Sequence, residues 1–340
     1  LGILDASTLG KIDLQGPDVA KFLNLIYTNA WSKLEVGSCR YGLMCNEHGM
    51  VFDDGVTTRI SENRYHMTTT TGGAARVMSW LEEFLQTEWL DMEVFCTSVT
   101  EQWTVLSISG PNSREFLSSL TDIDISKEAF PFMKMKEGKV CGIDARIFRI
   151  SFTGELSFEI NVPSRYGLFV WNEFMKLGKK YDITPYGTES MHVLRAEKGF
   201  IIVGQDTDGS VTPKDINMDW IVSKKKEDFL GKRSFSRSDT RRTDRKQLVG
   251  LLVNDKKTVL PEGSYVVDEA KPRPPMDMIG HVSSSYYSPT CDHPIALALI
   301  KNGLNRMGDV VKIPLMSGKV IDATITDSIF YDKEGARNNE

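Results

Sequence analysis

Apolar residues fall three and four positions apart in two stretches of the chain. Between Ala74 and Leu85 they are Val77, Met78, Trp80, Leu81 and Phe84; between Tyr166 and Leu177 they are Leu168, Phe169, Trp171, Phe174 and Met175. That spacing gathers side chains along one side of a helix, and predicts two amphipathic helices with these residues in the core. Earlier in each half, a short alternating run closes on a Gly-Pro pair. Lys11-Ile-Asp-Leu-Gln-Gly-Pro-Asp-Val-Ala-Lys-Phe-Leu23 resembles Val105-Leu-Ser-Ile-Ser-Gly-Pro-Asn-Ser-Arg-Glu-Phe-Leu117. Each copy reads as strand, turn and helix start, with Pro17 and Pro111 expected in the first helical turn, where a missing N–H costs nothing. The pattern predicts an α+β fold: two βαββα-like units with antiparallel sheets packed together.

The run Ser236-Arg-Ser-Asp-Thr-Arg-Arg-Thr-Asp-Arg-Lys246 has no apolar side chain and reads as a solvated linker. Beyond it, Leu248-Val-Gly-Leu-Leu-Val253, Gly280-His-Val-Ser-Ser284, Ala296-Leu-Ala-Leu-Ile300 and Val310-Val-Lys-Ile313 read as short strands separated by turns. They predict a small β-barrel-like domain. The expected organisation is therefore one domain over 1–235, with pseudo-repeats at about 1–100 and 101–235, a linker at 236–246 and the barrel-like domain over 247–340.

Composition narrows the function classes. A formal net charge of -5 with Lys and Arg spread along the chain argues against a nucleic-acid partner. The five cysteines, Cys39, Cys45, Cys96, Cys141 and Cys291, are odd in number, widely spaced and without a Cys-x-x-Cys pair, so neither a disulfide framework nor a zinc site is signalled. A reducing, cytoplasmic setting is expected. No apolar run approaches the roughly 20 residues of a membrane helix. The chain opens directly on the strand-like Leu1-Gly-Ile-Leu-Asp5, from which an origin in a longer polypeptide is expected.

The chemistry must rest on carboxylates. No Gly-x-Gly-x-x-Gly, phosphate-binding loop, His-Glu-x-x-His or Gly-x-Ser-x-Gly occurs, and His48, His66, His192, His281 and His293 show no ligand spacing. Within Met44-Cys-Asn-Glu-His-Gly-Met-Val-Phe-Asp-Asp-Gly55 two acids, Asp53 and Asp54, stand side by side in a segment that otherwise reads as strand and turn. Successive strand side chains point to opposite faces, so only one of the pair can face a given pocket. The alternative is a turn in which both acids cap backbone amides.

That segment resembles the Asn-x-x-Gly-Gly-x-x-Asp-Asp motif of the glycine-cleavage T-protein (aminomethyltransferase) superfamily. Phe152-Thr-Gly-Glu-Leu-Ser-Phe-Glu159, Leu194-Arg-Ala-Glu-Lys-Gly199 and Asp228-Phe-Leu-Gly-Lys232 resemble further landmarks of that family in order and spacing, so the likeness covers essentially the whole chain. The run from Ile183 to Gly209 is very similar to the C-terminal half of the alpha subunits of heterotetrameric sarcosine oxidases. The resemblance implies a tetrahydrofolate site with Glu159 and Glu197 at the pterin ring, Tyr41 and Tyr186 as pocket walls or hydrogen-bond partners, and Asp54 as the catalytic carboxylate. For each Glu the alternative is an ion pair with a local arginine such as Arg195. No metal is implied.

The chain departs from the T-protein pattern at Leu4-Asp-Ala-Ser-Thr-Leu-Gly10, where Thr8-Leu9 replace His-Met, and at Gly49-Met50, which replaces Gly-Gly. These departures favour the oxidase branch over acceptance of an aminomethyl group from a lipoyl carrier. The resemblance then implies that sarcosine is oxidised on a partner, and that the imine and tetrahydrofolate are converted here to glycine and 5,10-methylenetetrahydrofolate. FAD, FMN and NAD are expected only in other parts of the complex, including a flavin-bearing beta subunit. Two other readings remain: a free-standing aminomethyl- or methyltransferase, and a non-catalytic folate-binding module.

Overall fold

A computed structural model describes residues 1–339. Two sheets and a barrel carry the architecture. The first sheet has five strands in the spatial order Cys39–Cys45, Val51–Ser61, Arg64–Thr69, Gly10–Gln15, Phe95–Ser98. The second has six, in the order Thr184–Pro185, Gly2–Asp5, Trp103–Ser109, Ser157–Pro163, Ile143–Phe148, Met135–Val140. The strand Gly2–Asp5 therefore leaves the unit to which its sequence belongs. It pairs antiparallel with Trp103–Ser109 and parallel with Thr184–Pro185, so the second sheet is completed by the start of the chain.

Strand alternation decides which face of each sheet meets the helices. In the first sheet Ile12, Leu14, Tyr65 and Met67 pack with Phe22 and Leu23 of helix Val19–Ile26 and with Val77, Trp80 and Leu81 of helix Ala74–Thr87. In the second, Leu106, Ile108, Phe158, Ile160 and Val162 pack with Phe116 of helix Ser113–Ser118 and with Val170 and Phe174 of helix Gly167–Leu177. Each such buried side chain contributes about 1.5–3 kcal/mol. The alternate positions of both sheets point the other way, toward each other, and many of these are polar.

Two expectations about the helices are corrected. Leu168 and Phe169 are 74 % and 48 % exposed, because the helix turns Val170 and Phe174, one turn apart, onto the sheet. Pro17 and Pro111 precede the N-cap residues Asp18 and Asn112, so each belongs to the turn before its helix rather than to the first helical turn.

Six strands after Arg245 form a closed barrel, Lys246–Val253, His293–Lys301, Met278–Ser288, Tyr265–Val267, Val310–Pro314 and Val320–Thr326, the last pairing back onto the first. Its interior is aliphatic, with Val249, Leu251, Val282, Ala298 and Ile325. Helix Thr188–Glu197 docks on this barrel through Arg195, whose Nη2 donates to Ser284 Oγ at 2.7 Å while its Nη1 forms a buried ion pair with the loop residue Asp206, Oδ2 at 2.5 Å. Asp206 Oδ1 accepts from Ser283 Oγ at 2.5 Å and Ser284 Oγ at 2.7 Å. A buried pair persists only when its remaining atoms are bonded in this way. Arg245, at the end of the polar run, bonds Asp215 at 2.9 Å and Asp239 at 2.6 Å, which ties that run to the body of the protein.

Candidate functional site

The hairpin of Cys39–Cys45 and Val51–Ser61 is set by its turn. Asn46 Oδ1 accepts from the backbone N–H of His48 and of Met50, each at 3.0 Å, and Gly49 takes the left-handed φ of 78° that follows. This turn fixes a register in which Leu43 opposes Asp54 and Tyr41 opposes Val56. Tyr41 and Asp54 are thus diagonal neighbours on one face, and the Tyr41 hydroxyl donates to Asp54 Oδ2 at 2.6 Å. Burial pushes the Asp54 carboxyl up to about 7; the Tyr41 bond opposes the rise and the charge of Asp53 adds to it.

Asp53 faces the other way. It is fully buried beside the start of helix Ala74–Thr87, where a Cβ on Gly73 would come within 2.1 Å of its Oδ2. Its Oδ1 accepts the Asp54 N–H at 2.9 Å. A helix N-terminus favours negative charge, so Asp53 has a structural place there, although burial still raises its proton affinity.

Asp54 shares its strand face with Val56 and Thr58, which line a cavity between the two sheets. The opposite wall comes from the second sheet: Val105, Phe148, Glu159 and Asn161. Burial pushes the Glu159 carboxyl up to about 7, against the nearby Lys11 ammonium. Lys11 also lines the cavity and is fully buried, its Nζ donating to the carbonyls of Ser7 at 2.8 Å and Leu9 at 2.7 Å. Burial lowers its proton affinity, while Glu101, Glu159 and Asp5 support its charge. Tyr186 sits at the edge of the second sheet, its hydroxyl 3.4 Å from Ser109 Oγ and within the field of Glu159.

Tyr41 and Asp54 are therefore brought together on the first sheet, and Tyr186 lies within the field of Glu159 on the second. Glu197 is not among these groups: it is 2 % exposed, and its Oε1 accepts from Ser288 Oγ of the barrel at 2.6 Å. The helix carrying Glu197 turns this oxygen onto the barrel. Arg195, the arginine considered as a partner for either Glu, is committed to Asp206.

Sequence reasoning missed Lys11, Asn161 and His66. His66 lies between the sheets, 1 % exposed and stacked on Phe148 at 5.8 Å, and neither ring nitrogen has a hydrogen-bond partner among the described residues. Burial lowers its pKa to about 3, so the ring is neutral. Asn161 Oδ1 is likewise buried and unpartnered. The signal available was strand alternation, which places Asn161 two residues from Glu159 on the same face.

Residues 1–226 match the GCVT N-terminal domain, and residues 246–332 match the glycine cleavage T-protein C-terminal barrel domain. The chain is 54% identical over 345 residues to the sarcosine oxidase subunit alpha of Corynebacterium sp. (strain P-1), covering 100% of this chain and 35% of that one. It is 41% identical to the corresponding subunit of Rhizobium meliloti (strain 1021), covering 99% and 34%. The chain thus spans about a third of the length of these relatives. It is also 30% identical to the aminomethyltransferase of Thermoanaerobacter sp. (strain X514), covering 98% of this chain and 86% of that one. Among solved structures, the glycine cleavage system aminomethyltransferase T from Bartonella henselae superposes with a TM-score of 0.85 at 25% identity, covering 98% and 86% of the two chains.

Proposed function

We propose, from the premise that this chain belongs to the glycine-cleavage T-protein family, that it is the tetrahydrofolate-binding, one-carbon-accepting part of a sarcosine oxidase alpha subunit. In this reading the imine from sarcosine oxidation and tetrahydrofolate yield glycine and 5,10-methylenetetrahydrofolate. Flavin and dinucleotide chemistry belongs to other parts of a cytoplasmic complex, including a flavin-bearing beta subunit. The relatives named sarcosine oxidase subunit alpha support the oxidase branch.

One observation carries the reading. Two carboxylates are each pushed up to about 7 by burial: Glu159, which lines the inter-sheet cavity, and Asp54, which shares its strand face with the lining residues Val56 and Thr58. Neither has an ion-pair partner within 4.0 Å among the described residues. Desolvating a carboxylate without a cation is costly, and N–H donors of a ligand offset that cost. A pterin ring has such donors, its ring N–H and 2-amino group, and Glu159 can accept both in a two-point contact. The hydrogen-bonding groups present therefore match those of the ring.

Tetrahydrofolate, when bound, supplies the nitrogens that take up a carbon at the oxidation level of formaldehyde. The chain supplies charge and position. Asp54 is held through Oδ2 by Tyr41, which leaves Oδ1 to face positive charge or to receive a proton. A carboxyl that titrates near 7 is suited to both at neutral pH. Glu159 binds the ring, and Tyr41 and Tyr186 position the flanks of the site.

Titration of the protein with tetrahydrofolate after chelator treatment tests the reading. Saturable binding without added metal is expected. Absence of binding, or binding restored only by a metal ion, overturns it.

A further inference from the structure

Asn161 is 3 % exposed, lines the inter-sheet cavity, and its Oδ1 has no partner among the described residues. Its cross-strand neighbours do not account for it. Val105 is apolar. Arg146, directly opposite on the other side, is turned away: its Nε bonds Glu137 Oε1 at 2.9 Å and its guanidinium lies 4.7 Å from the centre of the Trp103 ring. A buried amide left in this way is unfavourable unless something in the cavity bonds it. The residue also stands two positions from Glu159 on strand Ser157–Pro163, on the same face and roughly 6.6 Å along it.

We propose that Asn161 reads the reduction state of the pteridine ring by pairing its amide with the N1 and N8–H edge, next to the edge that Glu159 holds. This rests on the folate reading above and extends it to specificity. The chemistry follows from the two edges. A carboxylate accepts from two neighbouring donors, N3–H and the 2-amino group. The adjoining edge presents one acceptor, N1, and one donor, N8–H, which an amide complements with Nδ2–H and Oδ1. Tetrahydrofolate and 7,8-dihydrofolate both carry N8–H. In folic acid N8 has no hydrogen and becomes an acceptor, so Oδ1 meets a lone pair and stays unsatisfied. A site that bonds a substrate N–H discriminates strongly against an analogue lacking it.

The test is equilibrium binding of tetrahydrofolate, 7,8-dihydrofolate and folic acid to the intact protein carrying this chain, with Asn161→Leu and Asn161→Asp beside the wild type. The wild type should favour both reduced forms over folic acid by about tenfold or more, and Asn161→Leu should lose most of that preference with its melting temperature retained. Asn161→Asp keeps the acceptor for N8–H, so it should keep the preference while binding all three more weakly beside Glu159. Should Asn161→Leu bind none of the three, Asn161→Asp decides, retention of the preference supporting the inference and its loss overturning it. An unchanged preference in Asn161→Leu, or a wild type that binds all three alike, overturns the role of Asn161 and leaves the folate reading standing. A wild type that binds no tetrahydrofolate overturns both.

Discussion

The Tyr41 hydroxyl donates to Asp54 Oδ2 across 2.6 Å from a diagonal position on the neighbouring strand. The bond favours the charged form of a carboxyl that burial holds near neutrality. Tyr41→Phe removes the donor without removing the ring. The pH at which one-carbon transfer is half-maximal should therefore move upward from about 7, with sarcosine oxidation unaffected. A profile unchanged in Tyr41→Phe contradicts the assignment.

Glu159 and Glu197 should separate in their effects. Glu159→Gln replaces a charge-assisted contact by a neutral one, and tetrahydrofolate binding should weaken by about 1.5–3 kcal/mol with the fold intact. Glu197→Ala strips the Ser288 hydroxyl of its carboxylate partner and should lower stability by about 1–3 kcal/mol with little change in affinity. Isothermal titration and thermal melts on both variants check this.

The raised carboxyls also predict how stability follows pH in the ligand-free protein. Asp54 and Glu159 each titrate near 7 when folded and near 4 when unfolded. Folding therefore favours the protonated form. That contribution is fully present below about pH 4 and is lost as pH rises through about 7. Asp54→Asn and Glu159→Gln should each melt higher than wild type at about pH 8, by a margin on the order of 2 kcal/mol that shrinks toward about pH 4. Equal margins at both pH values count against the buried-carboxyl account.

Much of the architecture was legible because it is local. The Gly-Pro turns and the helix periodicity involve neighbours within a few residues, whereas the Tyr41–Asp54 bond spans thirteen positions and follows from the hairpin register. What was not legible depends on contacts between distant segments. The exchange of Gly2–Asp5 into the second sheet is set by pairing with residues more than a hundred positions away. The bond between Glu197 and Ser288 joins residues 91 positions apart. Lys11, Asn161 and His66 occupy alternate strand positions that ordinarily face water. Here a second sheet covers that face, which no single strand can reveal. Leu168 and Phe169 fit a helical spacing, but the contact with the sheet is narrower than the apolar stripe.

The central claim is that Asp54, and not the adjacent Asp53, acts on the transferred carbon. The two point to opposite faces, Asp54 toward the cavity side and Asp53 toward Gly73. The ratio of methylenetetrahydrofolate to free formaldehyde, measured during sarcosine turnover by the intact protein, tests it most directly. Asp54→Asn should lower that ratio by about tenfold or more, roughly 1.4 kcal/mol of lost transition-state stabilisation, while tetrahydrofolate still binds and sarcosine oxidation continues. Asp53→Asn should change it less. An unchanged ratio in Asp54→Asn, or a larger fall in Asp53→Asn, contradicts the account.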